Sequence, residues 1–190
     1  ERFLIVSAAW GYRKEYRDIG PFFLALDAFF KRRPDARGKL EVVLLGDSLS
    51  GEYEPLLQSL GLDGSVHRVG AVKREELVEW LWKADLHLLV QPVGNTTAIS
   101  GTLYEYWATG KAPILLISER GASSALVEEN RLGRHFGFNH IEEISAYLEW
   151  VFDGYERNAP PWIGQDGVLA YDRKELVRHL DAIWKNTIFA

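Results

Sequence analysis

The chain has 190 residues, 47% apolar and 26% charged, and a net charge of −5, a length that suits one domain with a substantial core and a composition that fits a soluble globular chain. No apolar run approaches the roughly 20 residues of a membrane-spanning helix, and no block of Lys or Arg offers nucleic acid a clustered basic face. Zero cysteine removes disulfides, thiolate nucleophiles and Cys-based metal sites together.

In chain order, Phe3 to Ser7 is a short apolar run of strand length, entered with no initiator methionine and no visible signal peptide. That start predicts a piece cut from a longer protein, and the absence of cysteine suits a reducing, cytoplasmic compartment. Pro21 after Gly20 suits a first helical position and opens a helix to about residue 32, with Phe23, Leu24 and Ala28 expected on its buried side; Pro34 stops it. Leu40 to Leu45 is the second strand. A helix over 52–60 ends at Gly61, a left-handed C-cap signal, before a third strand at Val66 to Val69. Arg74 to Lys83 is helical, with Leu77, Trp80 and Leu81 on one side, and Leu86 to Val90 is the fourth strand. A helix over 102–109 ends at Gly110 in the same way, followed by a strand at Ile114 to Ile117. Helices over 123–129 and 141–155 flank a weaker strand near 134–136, and a last helix is expected over 172–184. Apolar runs without alternation, separated by amphipathic helices, predict βα units and a mainly parallel sheet of about six strands covered on both faces. The expected fold is a doubly wound, Rossmann-like three-layer αβα domain. In such sheets ligands sit beyond the carboxyl ends of the strands, near the point where strand order reverses. That gathers the loops 8–19, 46–50, 70–73 and 91–100.

Several nucleotide chemistries are excluded. The loop after the first strand, "AAWGYRKEYRDIG", has no G-x-G-x-x-G, and Gly110-Lys111 fails the P-loop pattern because Glu105 and Ala112 stand at the required positions. Asp47 and Asp85 do not make the acidic cluster of a receiver domain. The five histidines lack metal-ligand spacing, no D-x-D is present to bridge a divalent cation to a diphosphate, and no Ser-His-Asp arrangement stands out.

The segment "ISGTLYEYWATGKAP" holds one acid, Glu105, among aromatic and small residues. A helix that starts after "NTTAISG" leaves backbone N–H groups facing outward, where the positive end of the helix dipole also favours an anion. Helical side chains lean toward the N-terminus, so Glu105 points back at the same opening. Two readings are open. A phosphate on the amides of Gly101, Thr102 and Leu103, with a sugar beside it, would let the carboxylate accept hydrogen bonds from two neighbouring hydroxyls. Alternatively, Thr102 and Glu105 form a capping box in which the acid reaches back to the N-cap amide. Arg13, Lys14 and Arg17 are, as a trio, the basic groups expected to face that helix start, although for any one of them alone a solvated loop residue is the commoner case. Trp10, Tyr12 and the "PPWIG" loop suit either stacking on a ligand or contact with a further domain.

The succession "IGPFFLALDAFF", "LEVVLLGD", "VHRVGAVKREELVEWLWKADLHLLV", "SGTLYEYWATGKAPILL" and "YDRKELVRHLDAIW" resembles the carboxy-terminal half of a GT-B-fold glycosyltransferase of the family 4, or group 1, type. The resemblance implies that residues 1–190 are a single donor-nucleotide-binding domain from a longer two-domain chain. It implies a UDP- or GDP-linked sugar as substrate, no metal or other cofactor, and an amino-terminal acceptor-binding half as partner. Peripheral association of the full protein with the inner face of a membrane is compatible with it. Glu105 would hold the ribose hydroxyls, Ser100, Gly101, Thr102 and Leu103 would meet the diphosphate, Val72 would line the base, and Arg13 or Arg17 would be the catalytic cations, helped by Lys14. The chain departs from the pattern at Thr97, where a second acid is frequent, at Thr102, where a lysine is common, and at Ser7-Ala8, where a Gly-Arg pair is usual. The implied activity is a metal-independent, retaining transfer of a sugar, with little turnover by this domain alone. The rival reading is a GT-B-derived binding or interaction module without transfer activity.

Overall fold

The computed structural model describes residues 2–9, 11–46 and 49–159, together with Asp172, Lys174, Val177 and Arg178. Six strands, β1 (Phe3–Ser7), β2 (Leu40–Leu45), β3 (Val66–Val69), β4 (Leu86–Val90), β5 (Ile114–Ile117) and β6 (Gly133–Phe136), alternate with six α-helices. The helices are α1 (Gly20–Arg32), α2 (Glu54–Leu60), α3 (Arg74–Lys83), α4 (Gly101–Thr109), α5 (Ala122–Glu129) and α6 (Ile141–Glu156). All pairings are parallel, in the order β3-β2-β1-β4-β5-β6, with Phe3 opposite Leu40 at one end of the β1/β2 register and Ser7 opposite Leu44 at the other. This is the doubly wound Rossmann-like sheet expected from the pattern. The last helix expected from the sequence and the "PPWIG" loop lie almost wholly outside the described residues.

From β1 the chain winds outward to β3, then returns to β4 and winds the other way. Right-handed crossovers therefore place α1 and α2 on one face and α3, α4 and α5 on the other. After β6 the chain crosses back, and α6 packs along α1. The two central strands are buried on both faces: every residue of β4 is buried, and so are Phe3, Ile5, Val6 and Ser7 of β1. Among the described residues, no helix is long and apolar enough to cross a membrane.

Local chemistry sets the element ends. Gly61 and Gly110 terminate α2 and α4 at φ 61° and 55°, left-handed conformations open to glycine without a Cβ clash. One expectation fails in phase: Leu24 is 40% exposed rather than buried. Helix α1 is wedged between the sheet, α2 and α6, so it buries Phe22, Phe23, Ala25, Leu26, Phe29 and Phe30. Its solvent stripe falls along Leu24, half-buried Ala28 and Lys31, at spacings of four and three residues. A nearly all-apolar helix leaves its phase to its neighbours.

Candidate functional site

Beyond β1 and β4 the chain departs to opposite sides, opening the switch-point crevice. Its floor is a closed set of hydrogen bonds. The Ala8 N–H donates to the Tyr106 hydroxyl at 2.7 Å, and that hydroxyl donates to the Leu88 carbonyl at 3.1 Å. Ser7 Oγ donates to the same carbonyl at 2.8 Å and also bonds the Tyr12 hydroxyl. Tyr106 stacks on His87, with centroids 4.5 Å apart, and thereby ties α4 to both central strands. Burial pushes the Tyr12 phenol up to about 12, so it remains protonated as a donor. Tyr12 is fully buried, which corrects its assignment to an exposed stacking or docking surface: its ring is drawn under the loop by Ser7, while its backbone bridges to Leu49. Trp10 lies outside the described residues.

The helix that carries Glu105 begins one residue earlier than expected. Ser100 is the N-cap, in extended conformation and without a side-chain cap bond, so Thr102 already has helical backbone as the second residue of α4. This overturns the capping-box reading, because the box would need Thr102 outside the helix and Glu105 as its third residue. The Leu103 amide, expected to meet a phosphate, donates to the Ser100 carbonyl at 3.0 Å. The amides of Gly101 and Thr102 donate to no group among the described residues. The side chains of Leu103, Tyr106 and Trp107 are buried, whereas the Glu105 carboxylate is 38% exposed. Its described partner is Arg74, with Nη1 3.5 Å from Oε1.

The loop that leads into α4 is anchored on α5. Ala122 N donates to the Thr96 carbonyl at 2.8 Å, and a Cβ at Gly121 would lie 2.0 Å from that oxygen, so only glycine permits the approach. Gln91 Nε2 donates to Ser123 Oγ at 2.6 Å. Thr97 is exposed at the tip of this loop.

The basic trio sits in a compact turn within the loop after β1. The amides of Tyr16 and Arg17 both donate to the Arg13 carbonyl, Lys14 N donates to Glu52 at 3.1 Å, and Val93 N donates to the Tyr16 carbonyl at 3.0 Å. Arg13 and Lys14 are exposed and Arg17 is half-buried, its guanidinium 5.8 Å from the Tyr16 ring centroid. Arg13 lines a cleft of about 610 Å³ with Tyr12, Ser50, Glu15 and Glu52, a surface of mixed charge. No described hydrogen bond or ion pair joins Arg13 or Lys14 to Ser100, Gly101, Thr102 or Glu105. Val72, partly buried against the core, lies in the loop that ends at Arg74. Thus the structure brings the loop of Val72 to Glu105 through Arg74, and holds the basic trio between the loops after β2 and β4.

No family model and no curated protein sequence matches this chain. Solved structures do. The crystal structure of WaaG, a glycosyltransferase involved in lipopolysaccharide biosynthesis, matches 78% of this chain and 37% of its own at 17% identity and a TM-score of 0.63. Anabaena Alr3699/HepE, solved in complex with UDP-glucose, matches over 96% and 49% of the two chains at 16% identity and a TM-score of 0.66. A glycosyltransferase from Rickettsia africae matches over 98% and 48% at 12% identity and a TM-score of 0.67. This chain has the fold of one GT-B half. It spans 37 to 49% of the length of these proteins.

Within that GT-B half, sequence reading missed Arg74. Its position at the start of α3, directly after the loop of Val72, was visible, but its approach to a helix 31 residues later was not. The Tyr106 bridge to Ala8 was missed for the same reason, at a separation of 98 residues.

Proposed function

We propose that this chain is the donor-binding, carboxy-terminal half of a metal-independent, retaining glycosyltransferase of the family 4 type, which binds a UDP- or GDP-linked sugar. The observation that carries the reading is the start of α4: two amides without described acceptors, on Gly101 and Thr102, stand one helical turn from the half-exposed carboxylate of Glu105. A phosphate oxygen suits the amides and the helix dipole. Two vicinal ribose hydroxyls suit a carboxylate, which only accepts hydrogen bonds. HepE with UDP-glucose, and an E. coli trehalose-6-phosphate protein with UDP-2-fluoro glucose, support this choice of ligand by their fold likeness.

In this reading Val72 lines the base, Ser100 shapes the approach to the amides, and Thr97 faces the donor sugar. Arg13, Arg17 and Lys14 meet the diphosphate. As the sugar's bond to the diphosphate breaks and its bond to an acceptor oxygen forms, charge builds on the departing diphosphate. Preorganised amides and arginines stabilise that charge with little reorganisation. No D-x-D supplies a cation holder, so the protein's own groups carry this role. The acceptor site belongs to an amino-terminal half, and the cytoplasmic setting belongs to the same proposal. The rival reading, an interaction module without transfer activity, is motivated by the departures from the family pattern at Thr97 and Thr102.

Calorimetry with UDP, GDP and ADP and their sugars separates the two. Binding is expected, and Glu105→Gln should weaken it by roughly 1 to 3 kcal/mol, the scale of a hydrogen bond to a charged group. A folded chain that binds none of them at millimolar concentration sinks the donor-site reading.

A further inference from the structure

The donor-site reading places a carboxylate close to a bound diphosphate, an electrostatic conflict unless a cation offsets it. Glu105 lies four residues beyond Gly101 on α4, about 6 Å along the helix axis, and like charges at that separation repel. Arg13, Arg17 and Lys14 are assigned to the diphosphate from the far side, and the cation described beside Glu105 itself is Arg74. Its Nη1 is 3.5 Å from Glu105 Oε1, and its side chain is 77% exposed. Only that one donor of the guanidinium fork meets a described group, which leaves the others able to take phosphate oxygens in bidentate fashion.

Local stability does not account for an arginine there. Arg74 is the first residue of α3, where the positive end of the helix dipole disfavours a cation and favours acids such as the adjacent Glu75 and Glu76. An ion pair this exposed contributes little to folding. The position instead places the charge directly after the loop of Val72 and beside Glu105, at one end of a small cavity of about 150 Å³ that runs between α3 and α4 past Leu77 and Leu81 to Ala108 and Thr109.

We propose that Arg74 is a diphosphate-contacting residue: it neutralises Glu105 in the empty site and, once ribose hydroxyls engage the carboxylate, turns its free donors to the phosphates. This inference rests on the donor-site reading. It requires Arg74 to act on the diphosphate rather than on the nucleoside, and this gives the test. Chemical-shift titrations of the chain with UDP and with uridine, and with GDP and guanosine, reach the millimolar range. Arg74→Gln should weaken the diphosphate about tenfold and the nucleoside less than twofold, and Arg74→Lys should recover part of the loss. The slope of log Kd against log salt for the diphosphate should also become shallower in Arg74→Gln. If the wild-type chain binds nucleotide and Arg74→Gln leaves the ratio of diphosphate to nucleoside affinity unchanged, the role of Arg74 is overturned while the donor site stands. If the wild-type chain binds neither, the donor-site reading falls and this inference falls with it.

Discussion

The two helical faces of the sheet treat their charges in opposite ways. On the face of α1 and α6, Arg32 bonds Glu142, Glu149 and Ser145 at 3.3, 3.1 and 2.7 Å. Arg33 bonds Asp35, Asp153 and Glu156, and Lys39 reaches Glu156 at 2.8 Å. Beneath this lattice Phe152 meets Phe3 and Phe29 edge-on, each at 5.6 Å, with the Arg33 guanidinium 5.4 Å from its ring centroid. On the face of α3 and α4, the described ion pair between the helices is Arg74 with Glu105 at 3.5 Å. One face satisfies its charges within the protein. The other joins Arg74 and Glu105 through a single contact and leaves their remaining donors and acceptors to solvent.

That contrast is open to measurement. Phe152→Ala strikes the packed face and should cost about 3 to 5 kcal/mol, read as a lowered urea midpoint; a loss below 1 kcal/mol would mean that the face is far less cohesive than its contacts indicate. On the opposite side the interior beneath α4 should be tight even though its surface is loose. His87 there is fully buried, and burial lowers its pKa from 6.5 to about 4. Its Nε2–H donates to the Leu81 carbonyl at 3.0 Å, which sets the tautomer. Between these pH values the unfolded chain binds the proton and the folded chain does not. The contribution is therefore complete above pH 6.5 and is lost as pH falls toward 4, by on the order of 3 kcal/mol. His87→Gln should flatten the stability profile across that window, and an unchanged profile would assign the slope to other groups.

Smaller effects sharpen the comparison further. Tyr106→Phe leaves the buried Ala8 N–H without its acceptor and should cost about 1 to 3 kcal/mol by denaturant unfolding; no change would mean that α4 is not tied to β1 through the phenol. Arg74→Ala should shift the unfolding free energy by less than about 0.5 kcal/mol. A larger loss would make that pair a structural strut and erase the contrast between the faces.

What could be read in advance was local. The apolar runs gave the strands their positions, and Gly61 and Gly110 marked helix ends because a left-handed C-cap is a property of a few adjacent residues. The edge strand β6, the weakest of the six in its pattern, also formed beside β5. Glu105 was legible as a candidate because its spacing from Gly101 is a helical spacing. Which use its carboxylate would make of that position was not, since the answer hung on the helix beginning at Gly101 rather than Thr102, a shift of one residue in a loop anchored by α5.

The amino-acid sequence alone determined the succession of βα units, the parallel sheet and the acid at the mouth of a helix, since these follow from periodicity and short-range backbone chemistry. Tertiary structure alone decided that Leu24 faces solvent, that Tyr12 is buried, that Tyr106 occupies the Ala8 amide, and that Arg74 is the cation beside Glu105. Each of these depends on which surfaces the crossovers bring together across tens of residues, and no local periodicity encodes that.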